Sequence, residues 1–451
     1  MTQLSEAITR YHKILESAPY QDLGWAEALQ AKMAALRLGN GGRPVCPFLR
    51  PHFVTRKQFA GLAKAGEALA KAAERVKDMA LANPALMARM ELLPAEKMLA
   101  SIDPGYSYFS VAAALDSHVD GGHIWVVGYN ADAPSGIAYG EALADVFYDC
   151  PPVKEFRKKY SLQKTGGMKH LLQALLKAWK SFGGKQKPRI AMLEFRQQFQ
   201  TSDSGELILI KEFLQREGYQ ALIAVPDQLE YKNGVLRQGD FVIDLLYRRV
   251  LVEEFLVRFD LGHPLVRAYQ ERAVCVVNSF RAELAQKKAI FDLLTDDSVT
   301  AGFPAAERKA LREFIPWTRV VSQRKTTYGD ETVDLPEFIL KNREKLVLKP
   351  NNSTGDLHCF NGWEMDSNAW ERALRSALRT PYVVQERVPA VIGTFPVYLY
   401  GSVELRPMRI DVHPHTYLGK VQGCSAWLTA DTPSGFTTVA GPAPTFIVEP
   451  K

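Results

Sequence analysis

The chain has few of the sequence features that mark secreted or membrane-spanning proteins. It has five cysteines in 451 residues, and none of them forms a C-x-x-C pair. An odd and scattered set predicts reduced thiols rather than a disulfide framework or a zinc site. No apolar run is long enough to cross a bilayer. The first residues contain no basic segment followed by an apolar one. We therefore expect a cytoplasmic protein that makes no membrane contact.

A strong excess of one charge is also missing. The net charge is +6, and no dense Lys/Arg stripe with interleaved aromatics is present. The locally basic stretch 154–187 is expected to be a solvated helix face, although attraction of a polyanion stays open. A nucleic-acid partner is not expected. His413 and His415 flank Pro414 and are the nearest approach to a metal-ligand pair, but such a pair more often lies at a surface.

The size and the apolar pattern predict several domains. A chain of 451 residues exceeds one ordinary core. Apolar residues at helical spacing predict a helical region over 1–104. Mixed strand and helix patterns follow over 105–187. Strands alternating with helices over 188–280 predict a mostly parallel, Rossmann-like sheet that is covered on both faces. Helices and then strands over 281–451 predict an α+β unit within an α/β protein.

Individual segments carry these predictions. Helical patterns end near turn-forming residues such as Gly218, which is placed to stop a helix. Runs of β-branched and aromatic residues between such turns predict strands. The predicted helices span 137–147, 169–179, 206–217, 283–294 and 305–314, and the predicted strands include 108–111, 124–127, 189–193, 221–225, 241–249, 274–277 and 346–348.

The surroundings of Lys349 carry the clearest chemistry. Lys349 ends a short apolar run and precedes 350–355, a loop of Pro, Asn, Ser, Thr and Gly. The backbone N–H groups of such a loop can bind phosphate. About thirty residues later a second strand-like run ends in Gln385-Glu386-Arg387-Val388. The alternative is that Lys349 is a solvated lysine at a strand end, because many unrelated loops share this composition.

These pieces, in this order, resemble the circularly permuted ATP-grasp family, the group related to glutathionylspermidine synthase. The resemblance implies an ATP-grasp core, a Rossmann-like pre-ATP-grasp domain over 188–280 and a nucleotide-binding domain over 281–451, with 105–187 contributing to the substrate side. It covers most of the chain from about residue 105. The matching segments are 128–136, 188–278, 285–290, 346–386, 403–406 and 417–423.

The resemblance also implies an activity, which is ATP- and Mg²⁺-dependent ligation of a carboxylate to an amine. A carboxylate would attack the γ-phosphate of ATP to form an acylphosphate, and the amine would then displace phosphate. The transferring phosphoryl group spreads negative charge over its oxygens, so lysines, an arginine and Mg²⁺ must surround it. The partners would be a small-molecule or peptide carboxylate and an amine. No oligomeric state follows from the sequence.

Roles for single residues follow from the same resemblance. Each role has a plain alternative, such as an exposed helical lysine, an outward-facing acid or a turn-forming Asn or Asp. Lys287 competes with Lys288 for the first nucleotide role. The resemblance assigns nucleotide binding to Lys288, Lys349, Gln385, Glu386 and Val388, metal binding to Glu404 and Asp411, the reacting oxygens to Arg406, and the substrate side to Asn130, Asp132 and Arg248.

The chain also departs from the family's pattern. The loop after Lys349 contains one glycine, Gly355, where the family usually has Gly-Gly. After Gly423 the family commonly has an arginine and then an asparagine, and here Trp427 and 436–441 occupy those places. Asp431 is the only acid nearby. A missing Mg²⁺ ligand would weaken the positioning of the γ-phosphate. The departures motivate an alternative function, a catalytically lapsed ATP-grasp protein that binds nucleotide or a peptide-like ligand without turnover.

Overall fold

A computed structural model describes residues 2–40, 43–196, 205–352, 358–430 and 439–451. Over these ranges the protein has a mixed α/β architecture. A large antiparallel-rich sheet, a parallel sheet and a small antiparallel sheet form its three main β-layers. None of the described helices combines the length and the apolar character needed to span a membrane.

The N-terminal region is mainly helical, as the sequence predicts. The long helix α3 starts at a capping box, in which the side chains of Thr55 and Gln58 each bind the other's backbone N–H. One short strand, His52–Val54, leaves this region and joins the large sheet. The elements are α1 (Gln3–Leu15), α2 (Gly24–Ala35), β1 (Gly39–Asn40), β2 (Arg43–Pro44), β3 (His52–Val54), α3 (Arg56–Ala82), α4 (Pro84–Ala88) and α5 (Pro94–Ser101).

The next segment supplies an antiparallel hairpin and three helices. The two helices predicted at 137–147 and 169–179 are confirmed. The strand predicted at 108–111 is wrong, because the strand begins at Ala112 and the Val111 N–H donates instead to the side chain of Asn278. The elements are β4 (Ala112–Asp120), β5 (His123–Asn130), α6 (Ile137–Tyr148), α7 (Pro151–Phe156), β6 (Tyr160–Lys164) and α8 (Met168–Ser181).

The predicted parallel sheet is present. Its strand order is β13-β12-β7-β8, and apolar cores cover both faces, so its strands are continuous apolar runs. Gly218 has φ +79° and follows the helix it was predicted to end. The elements are β7 (Ile190–Leu193), α9 (Gly205–Arg216), β8 (Ala221–Ala224), β9 (Leu229–Lys232), β10 (Val235–Gln238), β11 (Phe241–Val242), β12 (Leu245–Arg248), α10 (Val252–Arg258), α11 (Pro264–Gln270) and β13 (Cys275–Val277).

A small antiparallel sheet of order β14-β19-β17-β18 comes next. One of its faces packs on α16 and α17 around the buried Trp370. The helix predicted at 283–294 is two helices, because the chain is extended at Lys287. The elements are α12 (Glu283–Gln286), α13 (Ala289–Leu294), α14 (Asp297–Thr300), α15 (Ala305–Phe314), β14 (Thr318–Val320), β15 (Lys325–Tyr328), β16 (Glu331–Asp334), α16 (Leu335–Lys341), β17 (Leu346–Pro350), β18 (Phe360–Asn361), α17 (Ser367–Ala377) and β19 (Tyr382–Glu386).

The large sheet contains strands from both the N-terminal region and the last part of the chain. The last strands are β20 (Ile392–Leu399), β21 (Ser402–Tyr417), β22 (Lys420–Ala430) and β23 (Ala440–Pro450). The strand order is β3-β23-β22-β21-β4-β5, with β20 also on β21 and β6 also on β23. Helix α3 packs on one face, where Leu62 and Leu69 share a core with Leu115 and Val412. The opposite face is polar near the middle of β21.

Candidate functional site

Two strands place acids and histidines on the polar face of the large sheet. Because side chains alternate along a strand, Asp411 and His413 share one face of β21, and Asp116 and His118 share one face of β4. The two pairs meet across the sheet, since Ser117 pairs with Val412. His413 Nδ1 lies 3.1 Å from Asp116 Oδ1, and His118 Nε2 lies 3.4 Å from Asp411 Oδ1.

The neighbouring strand β5 completes the surroundings of Asp116. Asn130 Nδ2 donates a hydrogen bond of 2.9 Å to Asp116 Oδ1. Gly128 lies directly across from Asp116, and a Cβ at this glycine would overlap the aspartate carboxylate. The absence of a side chain at residue 128 therefore makes room for the carboxylate. Asn130 is the substrate-side candidate that the structure brings into this polar group.

The small sheet presents Lys349 at the carboxyl end of β17. Lys349 Nζ donates to Gln385 Oε1 at 2.8 Å, and Gln385 Nε2 in turn donates to Thr318 Oγ1 at 3.0 Å. Only 2% of Gln385 is exposed. Gln385 is therefore buried beside Lys349 and bonds to its ammonium group, and its predicted role in nucleotide binding stays a prediction.

Asn351 joins Lys288 to the same place. Its carbonyl accepts from the Lys288 N–H at 3.1 Å, and its side-chain oxygen accepts from the Ala289 N–H at 2.8 Å. Its side-chain amide also donates to the Met90 carbonyl at 3.0 Å. Asn351 is therefore a clamp that holds the start of α13 beside the end of β17, and it brings two lysines from distant parts of the chain together.

The charges of these residues are coupled. Burial and, next, the nearby charge of Lys349 lower the pKa of Lys288 to about 8, while Asp116 acts in the opposite direction. Burial alone would raise the pKa of Asp116, but the His413 hydrogen bond and the charges of His413, Lys288 and Lys349 hold it below its usual range. Burial opposes the protonation of His413, and the nearby Asp116 and Asp411 nonetheless raise its pKa. We call Lys288, Lys349, Asp116, Asn130 and His413 the lysine–aspartate cluster.

The chemistry of the cluster fits a nucleotide phosphate with Mg²⁺. Lysines donate to phosphate oxygens as point charges. The Asp116 carboxylate and the Asn130 amide provide oxygen, the element that Mg²⁺ prefers. The described residues contain no group of three or more His, Cys, Asp and Glu side chains placed to hold a metal ion. Mg²⁺ usually takes one or two carboxylates and completes its shell with phosphates and water, so a single aspartate beside a phosphate site is compatible with it.

The structure places Asp132 and Arg248, two residues of the predicted substrate side, in the protein interior, and their substrate role stays a prediction. Both side chains are fully buried, and they form an internal ion pair through Arg248 Nη2 and Asp132 Oδ1. The second carboxylate oxygen of Asp132 accepts from the Val252 N–H at 2.8 Å. These groups lie inside the protein and bind each other and the backbone.

The metal role of Glu404 and the catalytic role of Arg406 are not supported. The two side chains pair with each other at 2.6 Å, and the Glu404 side chain is 57% exposed. Seven residues of extended strand separate Glu404 from Asp411, a distance of about 23 Å. Because seven is odd, the two acids also lie on opposite faces of β21. They cannot share a metal ion, and seven residues of β21 likewise separate Arg406 from His413.

Glu386 lies on the face of the small sheet opposite to Lys349, and its predicted role in nucleotide binding stays a prediction. Lys349 pairs with Val383 and shares a face with Gln385, whereas Glu386 pairs with Leu346 on the other face. Its carboxylate accepts from Tyr328 Oη at 2.6 Å and from the Trp317 N–H at 3.2 Å. The Glu386 side chain therefore bonds to Tyr328 and Trp317 and does not share a face with Lys349. Val388 follows β19 and is partly buried, and its adenine role stays a prediction.

The sequence analysis missed Asp116, His118 and the role of His413. A signal was present, because Asp-Ser-His and Asp-Val-His each put an acid and a histidine on one face of a strand. The prediction of a surface site for His415 is wrong, since it is 3% exposed and its Nε2 lies 2.9 Å from Ser425 Oγ.

The remaining departures from the family pattern fall in two groups. Trp427 is described, lies directly across from Asp411 and is 44% exposed, so it borders the polar face of the large sheet. Gly355 and Asp431, as well as 436–438, lie outside the described residues.

No protein-family model and no curated protein matches the chain. Its structure is similar to that of a glutathione synthetase-like effector from Globodera pallida in its apo form. The TM-score is 0.60 at 13% identity, over 96% of this chain and 98% of that one. This likeness shows the fold alone, a mixed α/β fold that the two chains share over almost their whole lengths.

Two further proteins are less similar to this chain in structure. A putative γ-glutamylcysteine synthetase from Methylobacillus flagellatus has a TM-score of 0.43 at 11% identity, over 88% of this chain and 89% of that one. A RimK domain ATP-grasp protein from Sphaerobacter thermophilus has a TM-score of 0.27 at 17% identity, over 57% of this chain and 90% of that one. The permuted order and the domain boundaries stay predictions.

Proposed function

We propose that the chain binds ATP with Mg²⁺ at the lysine–aspartate cluster and ligates a carboxylate to an amine. One observation carries this proposal: a backbone bond from Lys288 to Asn351 joins the segments of Lys288 and Lys349, and the charges of both lysines act on Asp116. Burial and, next, the charge of Lys349 lower the pKa of Lys288, and a polyanion would relieve the repulsion between the two lysines. The triphosphate of ATP is such a polyanion.

Within this proposal the residues have distinct tasks. Lys288 and Lys349 hold phosphate oxygens, and Gln385 orients Lys349. Asp116 and Asn130 are the protein groups that would hold Mg²⁺, which neutralises charge between phosphate oxygens when it is bound. Arg409 shares the face of Asp411 and replaces Arg406 as the arginine of the reacting side, since its Nε lies 3.4 Å from Asp411 Oδ2.

The reaction that we propose has two steps. A substrate carboxylate takes the γ-phosphoryl group to give an acylphosphate, and an amine then displaces phosphate. The lysines contribute by stabilising the charge that spreads over the phosphoryl oxygens in the transition state. The name of the Globodera pallida structure, which describes it as glutathione synthetase-like, supports ligation as the class of reaction.

The test is release of ADP and phosphate from Mg·ATP in the presence of pooled amino acids and polyamines. We expect release by the native chain and a loss of at least about tenfold in Lys349→Met, since a charge-assisted hydrogen bond to phosphate disappears. Lys341→Met is the matched control, because that lysine is exposed and pairs with Glu337 at 2.7 Å. Release that survives Lys349→Met unchanged would contradict the proposed site.

The alternative function is nucleotide or peptide-like ligand binding without turnover. Trp427 favours it, because this half-exposed indole occupies the strand position across from Asp411. Binding of a fluorescent ATP analogue that depends on Lys288 and Lys349, together with no ADP release in any substrate pool, would support this alternative over the ligase.

A further inference from the structure

A second group of buried polar atoms lies at Arg249, the residue after β12. The Arg249 side chain is 10% exposed, and its Nη2 donates to Glu206 Oε2 at 3.1 Å. Its Nε and Nη1 are buried and have no hydrogen-bond partner among the described residues. Buried donors without a partner are rare in folded proteins, because each one costs about 1–3 kcal/mol. The partners of these two nitrogens therefore lie outside the described residues.

Two tyrosine hydroxyls share this property. Tyr247 precedes Arg249 by two residues, so both side chains lie on one face of the parallel sheet, with Arg249 Cζ 6.0 Å from the Tyr247 ring centre. The Tyr417 hydroxyl is buried without a partner among the described residues, and the buried Tyr247 hydroxyl has the Arg249 guanidinium as a polar neighbour beyond ordinary hydrogen-bond distance. Both rings belong to one apolar core. Burial raises the pKa of both phenols, so each keeps its proton and can donate it.

His170 extends the same group of polar atoms. Its ring centre lies 6.0 Å from that of Tyr417, and its buried Nδ1 also has no partner in the described part of the chain. Gly167 stands beside them, where a Cβ would lie 3.0 Å from Tyr417 Oη. A larger residue at position 167 would therefore press on the Tyr417 hydroxyl.

The acids of this region already accept bonds from the backbone. Glu206 Oε1 accepts from the Ala138 N–H at 3.1 Å, in the first turn of α6. Glu141 Oε2 accepts from the N–H groups of Gly167 and Met168 at 2.7 and 2.8 Å, at the start of α8. The atoms at Arg249, Tyr247 and Tyr417 that have no partner are donors. Their chemical complement is an acceptor with negative charge and two oxygens.

This place is separate from the lysine–aspartate cluster. His413 belongs to the cluster, and Tyr417 lies on the same face of β21 four residues further on, about 13 Å away. One phosphate group cannot occupy both places. We infer that Arg249, Tyr247 and Tyr417 form an internal binding site for a small carboxylate, in which the guanidinium and the two phenols donate to the carboxylate oxygens.

The experiment measures carboxylate binding without nucleotide, so its outcome is independent of the proposed ATP reaction. The probes are acetate and glutarate, with acetamide as the uncharged counterpart of acetate and with chloride holding the ionic strength constant. Thermal unfolding and calorimetric titration are the readouts, because a ligand that binds the folded state raises Tm. We expect acetate or glutarate, but not acetamide, to raise Tm of the native chain.

Tyr247→Phe and Tyr417→Phe carry the test, because Arg249→Gln would also break the bond to Glu206 and can unfold the chain. Each phenylalanine variant should bind the carboxylate at least about tenfold more weakly. Each should also match or exceed the native Tm without ligand, since it removes a buried hydroxyl that has no partner. A purely structural tyrosine would lower Tm instead.

Tyr269→Phe is the matched control, because the Tyr269 hydroxyl is also buried without a partner among the described residues but lies in a different core. It should leave carboxylate binding unchanged. Three results would overturn the inference. The first is the absence of a carboxylate-specific rise in Tm. The others are carboxylate binding as tight as that of the native chain in the Tyr247 and Tyr417 variants, or binding weakened as much in the Tyr269 variant as in those two.

Discussion

Two consecutive lysines should respond to the same substitution in opposite ways. Lys287 is fully buried, and its Nζ lies 2.8 Å from Glu96 Oε1 and 2.8 Å from Glu283 Oε1. Burial raises the pKa of Glu283 to about 8, which shows how poorly the interior solvates its charge. Lys287→Met leaves the buried Glu96 carboxylate without its cation, together with the Glu283 carboxyl group, whose raised pKa favours its protonated form at neutral pH. Breaking such a pair costs about 3–5 kcal/mol, a large part of the 5–15 kcal/mol that typically stabilises a folded protein.

Lys288→Met has the opposite consequence. Burial and the charge of Lys349 already disfavour the ammonium of Lys288, so its loss should leave the free energy of unfolding unchanged or raise it. The same substitution removes a charge-assisted bond to phosphate, which contributes about 1.5–3 kcal/mol. We therefore expect ATP affinity to fall roughly tenfold to a hundredfold.

The pair of variants is matched, because methionine preserves much of the length of lysine in both. Urea unfolding at neutral pH gives the stability of each variant, and titration with a fluorescent ATP analogue gives the affinity of the folded protein. Lys287→Met should lose stability and keep affinity, and Lys288→Met should do the reverse. The reasoning fails if both variants lose stability equally, or if folded Lys287→Met binds more weakly than Lys288→Met.

Three further outcomes follow from the cluster and its surroundings. ATP affinity should fall as the pH rises above about 8, because the pKa of Lys288 is about 8 in the free protein and only the protonated amine attracts phosphate. Titrations of the native chain and of Lys288→Met at a series of pH values check this, since the fall should be absent from the variant. Gly128→Ala should lower ADP release or ATP affinity in a folded protein, because its Cβ would displace the Asp116 carboxylate; circular dichroism and the same titration test it. Arg406→Ala should leave ATP affinity unchanged, and a clear loss would return a functional role to the exposed end of β21.

Local patterns predicted the elements but not all of their details. The apolar runs of the parallel sheet and the helix that ends before Gly218 were readable, because burial on both faces and a positive φ leave direct marks on the sequence. The break between α12 and α13 left no such mark. The chain turns at Lys287 because its side chain bonds to Glu96, which comes from a helix almost two hundred residues earlier.

The residues predicted to bind the metal ion show why a local sequence motif does not report which side chains meet in the folded protein. The acid followed by Leu-Arg at Glu404 resembles a family motif, but its strand position puts its side chain on the face of β21 opposite to Asp411. Asp116 and His413 meet through the register of two strands that are almost three hundred residues apart in the chain. Such a register depends on the folded sheet, and no spacing within one segment reports it.

The segment after β5 explains why Asn130 and Asp132 looked alike in the sequence and differ in the structure. Asn278, which is fully buried, donates to the carbonyls of Ala112 and Ala131 at 2.7 and 2.8 Å. The Arg248–Asp132 ion pair holds the next residue of the same segment. These buried bonds fix the backbone on which Asn130 stands, so Asn130 can face Asp116 without moving. Asp132 therefore contributes to the candidate site as a positioning residue. A resemblance between sequences cannot distinguish such a residue from Asn130, whose side chain faces Asp116.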